Sequence, residues 1–186
     1  MEKTLYEEYV SKYSDNFKRI VIDDEYAERI KEFANRIVKK KATEDIHSVD
    51  NGQELKRFTT GLMGEAALEK LFKMDIIDWT VGDSKNYNHP DIPGYLVGIK
   101  TVEEGKFPII FKKNTYPQII CILSYAEKIL VSVCGLASTD ILNEYQSENL
   151  VLSPKLRARG SKTAFWGFQH LRPVQSIDDI SPYKED

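Results

Sequence analysis

The stretch PDIPGYLVGIK, residues 90–100, sets an acid and a lysine on either side of a Pro-Gly turn. Asp91 follows a proline, and Lys100 sits in a short apolar run between Ile99 and Thr101. A carboxylate held rigidly by a turn is a hard oxygen ligand of the kind Mg2+ takes. A lysine in apolar surroundings shifts its pKa readily and can orient or deprotonate water, or balance charge that develops on a phosphoryl group. Metal-assisted phosphodiester hydrolysis needs that combination of a rigid acid and a nearby cation. Each residue also has an ordinary explanation. Asp91 could be a turn acid, and Lys100 could be a charge that protects an edge strand from aggregation.

A second carboxylate comes from the helix expected over 53–73. Leu55, Phe58, Leu62, Leu68 and Phe72 form its apolar stripe, and Glu65 fills the gap between Leu62 and Leu68. Helical geometry therefore sets a charge on the core-facing line, which is costly unless it is paired or bound to a metal. A buried Arg or Lys partner is the structural alternative. Gly61, Gly64, Ala66 and Ala67 around it leave room for another backbone to come close.

For Asp91 and Lys100 the expected element is a hairpin. Asp91 closes one strand, Pro93-Gly94 turns the chain, and Lys100 returns along the next, sharing a face with Gly98 and Val102. That second strand covers 95–102, with others at 17–22, 107–112, 118–124 and 128–134. Helices are expected over 2–15, from Asp23 or Asp24 with Tyr26, Ile30, Phe33 and Ile37 on its apolar face, and over 138–145. Residues 44–53 read as a polar loop. The fold class is α/β (α+β), a central mixed sheet flanked by helices. One domain spans 1–186: an N-terminal helical region (1–50), a core (53–145) and an irregular basic segment (149–186).

The order GLMGEAALEKLF, HPDI, GIKT and then a further apolar strand resembles the PD-(D/E)xK nuclease superfamily, which includes restriction endonucleases, junction resolvases, and phage and repair exonucleases. The resemblance covers about residues 53–125 and implies a restriction-endonuclease-like fold. It implies a Mg2+-dependent DNA endonuclease, with Mn2+ as an alternative ion, acting on duplex or branched DNA. Asp91 and Glu65 match the metal ligands, and Lys100 matches the lysine that acts on water or charge. The chain departs from the pattern at Gly98, where the family carries its second strand acid. Glu65 is the preferred substitute. Glu103 or Glu104 are alternatives, although Glu103 points to the other face of a regular strand. Gln118, at the start of the next strand, is a candidate neutral ligand, and His89 is either a phosphate contact or an ordinary loop histidine. The missing acid also leaves open a nuclease-fold module that binds DNA or protein without cutting. Cleavage of both strands would suit a homodimer.

The net charge of −3 does not favour nucleic acid, but its distribution does. No acid occurs between Glu148 and Asp178, while Lys155, Arg157, Arg159, Lys162 and Arg172 all fall there. Such a segment can hold a phosphate backbone on one face of an acidic protein, and a solvated basic loop is the alternative. Phe165, Trp166 and Phe168 could stack on bases, or close over the sheet as a lid. The sequence has no HExxH or GxxxxGK[ST] motif and no paired CxxC, which argues against zinc hydrolases and NTPases. No apolar run approaches the roughly 20 residues of a membrane span. The polar start MEKTLYEEYV lacks signal-peptide character. Cys121 and Cys134 read as buried thiols of a reduced, cytoplasmic protein.

Overall fold

The structure, a computed structural model, describes residues 2–44, 51–80, 90–151 and 153–186. Strands β1 (Lys18–Ile22), β2 (Gly98–Glu103), β3 (Ile109–Phe111), β4 (Gln118–Tyr125) and β5 (Ile129–Ala137) supply most of its two sheets. The larger sheet is mixed, in the order β1-β5-β4-β2. β5 runs antiparallel to both β1 and β4, whereas β2 runs parallel to β4, with Gly98 opposite Gln118 and Lys100 opposite Ile120. A parallel pair needs a crossover. The chain makes it through β3, which leaves this sheet altogether.

β4 reads as a continuous apolar run, as a strand covered on both faces must. Ile119, Cys121 and Leu123 face one hydrophobic cluster, and Ile120 and Ile122 face another. The first cluster lies under the helices α2 (Asp24–Glu44) and α3 (Asn51–Phe72), which contribute Ile30, Phe33, Leu62, Met63 and Leu68. β1 adds Ile20 and Ile22, so the core extends well before residue 53. The second face is covered by α1 (Glu2–Tyr9), a 3-10 turn (Ser11–Asn16), α4 (Thr139–Glu144) and the aromatics Phe165 and Phe168.

Local signals set several of these boundaries. The Asp23 carboxylate accepts the Tyr26 N–H at 2.8 Å and starts α2. The Ser138 hydroxyl accepts the Ile141 N–H and starts α4. The ends of the stretch 44–53 are helical and not loop, since α2 runs to Glu44 and α3 begins at Asn51; residues 45–50 lie outside the described residues.

The C-terminal segment differs most from expectation. It is not irregular: it forms α5 (Pro154–Arg159), β7 (Lys162–Phe165) and a 3-10 turn (Ile177–Tyr183) closed by a Ser176–Asp179 capping box. β7 is the middle strand of a second, antiparallel sheet, β3-β7-β6, in which β6 is Gln146–Ser147. The 107–112 strand therefore belongs here and not to the main sheet. Strands of two to four residues carry no readable periodicity, and their partners are remote in sequence. Phe165 and Phe168 are buried, and Trp166 packs against Tyr9 and Tyr145 at ring separations of 4.9 and 5.2 Å. The aromatics are the lid. Both cysteines are buried and unpaired. Among the described residues no helix is long and apolar enough to cross a membrane.

Candidate functional site

Asp91 does not close a strand, and the expected hairpin is absent. Residues 90–97 form turns, with the Tyr95 N–H donating to the Ile92 carbonyl at 3.1 Å and Gly94 at φ 82°. Pro90 and Pro93 remove two N–H groups that a ladder would use. The loop is tied instead to the C-terminus, since the Leu96 N–H donates to the Tyr183 carbonyl and the Glu185 N–H to the Gly94 carbonyl, at 2.8 and 2.9 Å. That strap shortens β2, which begins at Gly98.

The Asp91 carboxylate accepts the Ile99 N–H at 2.7 Å. The Gly98 N–H donates to Pro117, on the β4 side, so the next N–H faces away from β4. β2 is an edge strand, and Asp91 therefore sits on its free edge, where a side chain from either face of the sheet can reach it.

Glu65 approaches from one face. α3 packs closely on β2 because Gly64 faces Thr101: a Cβ on Gly64 would lie 1.7 Å from the Thr101 hydroxyl oxygen. Glu65 is half-buried and makes no hydrogen bond or ion pair among the described residues. Burial, with the Asp91 charge next and those of Glu69 and Asp78 behind it, pushes its carboxyl up to about 8. Among the described residues no basic side chain pairs with it. Glu69, one turn on, is fully engaged: it accepts from Tyr26 and from the N–H groups of Ile76 and Ile77.

Lys100 approaches from the other face. Ile99 packs in the cluster under α3 and Val102 in the opposite one, so alternation turns Lys100 with Val102, as the sequence implied. Its ammonium makes no hydrogen bond or ion pair among the described residues. Burial pulls it down to about 8; Lys162 and Arg57 push the same way, and Asp91 pushes back. Asp91 thus acts on both groups. Lys100 stands on the edge strand β2, where a lysine can also protect against edge pairing, and Glu65 has no basic partner among the described residues.

Gln118 occupies the space beside the glycine at 98. It lies opposite Gly98, and a Cβ on Gly98 would meet its Oε1 at 2.5 Å and its Nε2 at 2.9 Å. The amide therefore rests over the glycine, in the space a side chain at 98 would enter, and makes no hydrogen bond among the described residues. Glu103 is no replacement. It faces α3 and pairs with Lys56 at 3.2 Å and Lys106 at 3.6 Å. The Glu104 charge acts on Tyr6, near the second core. His89 lies outside the described residues.

The basic segment divides. Lys162, at the start of β7, stands near Lys100 with its ammonium 3.4 Å from the Phe111 ring centre; burial lowers its pKa, with Arg159 and Arg57 adding to the effect. Arg157 is exposed but its guanidinium is engaged, donating to the carbonyls of Val151 and Asn149. Arg172 donates to the Asp179 carbonyl and pairs through its backbone with Leu136. Lys155 is exposed on α5.

Two neighbours escaped the sequence reading. Tyr116, raised by burial and by Asp91, stands two residues before Gln118. Arg57 lies at helical spacing from Glu65 (57, 61, 65), a periodicity that could have found it. Among the described residues no three His, Cys, Asp or Glu side chains could hold a metal. The oxygen donors around the start of β2 are Asp91 at its free edge, Glu65 from the α3 face and the Gln118 amide over Gly98 on the other face, and carboxylate oxygens suit Mg2+ or Mn2+. No protein-family model, curated protein or solved structure matches the chain.

Proposed function

We propose that the chain is a restriction-endonuclease-like, metal-dependent DNA endonuclease that hydrolyses phosphodiester bonds at the free edge of β2. One observation carries this reading: Asp91, fixed by the Ile99 N–H, acts on an unpartnered carboxyl, Glu65, and on an unpartnered lysine, Lys100. Half-buried charged groups without a counter-charge are costly, and perturbed groups of this kind cluster at functional sites.

Asp91 and Glu65 would hold Mg2+ or Mn2+, which when bound supplies Lewis-acid activation of phosphate and water. Glu65 must lose its proton to serve as a ligand, so cation and proton compete for it. Lys100, with a pKa near 8, exchanges its proton close to neutral pH, as an amine that accepts a proton from water must. Lys162 and Arg159 lie on the Lys100 side and would take the neighbouring phosphates. A homodimer would suit cleavage of both strands, and the two unpaired thiols suit a reducing cytoplasm.

The test is nicking of supercoiled and branched DNA with Mg2+ or Mn2+, comparing the wild type with Asp91→Ala, Glu65→Ala and Lys100→Ala. Metal-dependent cleavage should be present in the wild type and lost in all three variants. A second reading, a DNA- or protein-binding module without catalysis, is favoured by the glycine at 98. DNA binding without cleavage under either metal would establish it over the first.

A further inference from the structure

A cavity of about 240 Å3 lies between the N-terminal helical turns and the turn that follows β7. Rings line it: Tyr9 at the end of α1, Tyr13 in the next 3-10 turn, and Trp166. The Trp166 N–H continues the β7 ladder by donating to the Tyr145 carbonyl at 3.0 Å. Its ring packs on Tyr9 at 4.9 Å and makes a T-shaped contact with Tyr145 at 5.2 Å. His170 in turn stacks on Tyr145, with 4.0 Å between ring centres and 20° between planes. A wall of rings that fix one another loses little further freedom when a ligand binds. Glu8, Gln169 and His170 also line the cavity, and their side chains make no hydrogen bond among the described residues. They offer acceptors and donors alike. Aromatic walls with hydrogen-bonding groups beside them match a planar heterocycle whose edge carries both. Lys12 lines the cavity as well, its ammonium 5.9 Å from the Tyr13 ring centre, so an organic cation would meet a like charge there.

The cavity is on the Lys100 side of the main sheet, since Tyr9 and Tyr13 pack against the same hydrophobic cluster as Val102, which shares its face with Lys100. Lys162 and Trp166 are four residues apart along β7 and its continuation, roughly 13 Å at the strand rise, and alternation sends both to one face. That is the reach of a few nucleotides, at roughly 3.4 Å each in a stacked strand. We propose that the cavity lined by Tyr9, Tyr13 and Trp166 is a site for one unpaired nucleobase, stacked on the rings and met at its edge by Gln169 and Glu8. The proposal rests on the nuclease reading above and narrows its substrate. It favours branched DNA or a strand end, where a base is already out of the stack, over intact duplex, where extracting a base costs its pairing and stacking.

The probe is a short DNA single strand with one central 2-aminopurine, titrated into the full-length protein in EDTA so that no cleavage intervenes. Anisotropy of a terminal dye reads binding, and 2-aminopurine quenching reads stacking. The wild type should bind the strand and quench the base. Trp166→Leu keeps bulk in the wall but removes the ring, and it should weaken binding about tenfold, the loss of one stacking platform. An abasic site in place of the 2-aminopurine should weaken the wild type by a similar factor and leave Trp166→Leu unchanged. Gln169 is exposed and its side chain bonds to nothing among the described residues, so Gln169→Ala spares the fold and should weaken binding about threefold. Circular dichroism melting of Trp166→Leu separates a lost ring from a lost fold. If Trp166→Leu, Gln169→Ala and the abasic strand all bind undiminished while Lys162→Ala weakens binding, the base site is wrong and the phosphate contacts of the nuclease reading stand. Thermal stabilisation by tetramethylammonium without any quenching of 2-aminopurine would give the cavity to an organic cation instead. If the wild type binds neither single-stranded nor branched DNA, the base site and the nuclease reading fall together.

Discussion

Replacing Glu65 by glutamine should stabilise the metal-free protein, and increasingly so as the pH rises. The carboxyl is pushed from an ordinary value of 4.5 up to about 8 by burial and by Asp91. Between those values the folded chain keeps a proton that the unfolded chain has released. Stability therefore falls with rising pH across this window, from fully present below about 4.5 to lost above about 8. With 1.36 kcal/mol per pH unit per proton, the loss between pH 5 and pH 7 comes to about 2.5 kcal/mol. Glu65 keeps some contact with solvent, which screens part of the effect. An observed value of about 1–2.5 kcal/mol is therefore expected. Glutamine has the shape without the titration, so the wild-type minus Glu65→Gln difference isolates this one group. Lys100, pulled to about 8, stays protonated in both states through most of this window and does not confuse the sign. The assay is urea denaturation in EDTA at pH 5, 6 and 7, repeated with excess Mg2+, which should shrink the difference by favouring the ionised carboxylate. Parallel stability curves for the two proteins would show that Glu65 is not desolvated beside Asp91, and the acid pair at the site would be lost with it.

Two other expectations follow from contacts at the site. Gly64→Ala would drive a methyl group into the Thr101 hydroxyl and should destabilise the fold by about 1–3 kcal/mol. Thr101→Ala in the same chain should recover part of that, since removing the hydroxyl clears the closest atom, and additive losses in thermal melts would refute the contact. Lys162→Ala should weaken binding to a DNA duplex of any sequence and reduce the salt dependence by about one counterion. Arg157→Ala should leave the salt slope alone and lower stability by about 1–3 kcal/mol, because its guanidinium holds the Val151 and Asn149 carbonyls. Equal slopes for those two variants would overturn the division of the basic segment.

Much of this arrangement is written in local pattern. The stripe through Leu62 and Leu68 exposes Glu65 as its one charged member, alternation along 98–102 assigns Lys100 its face, and Asp23 and Ser138 mark helix starts with their own side chains. These are properties of a few consecutive residues, governed by helical and extended geometry that every chain obeys. What the tertiary structure decided was which elements meet. β3 left the main sheet for β7, a strand too short to announce itself. Asp91 belongs to a loop, and it became part of the site by accepting the N–H on the open side of an edge strand. The glycine at 98 looked like a deletion until register put Gln118 over it. Registers and edges depend on pairings between residues far apart in the chain, where no period in the sequence connects the partners, so the acid, the lysine and the amide were legible singly and their places around β2 were not.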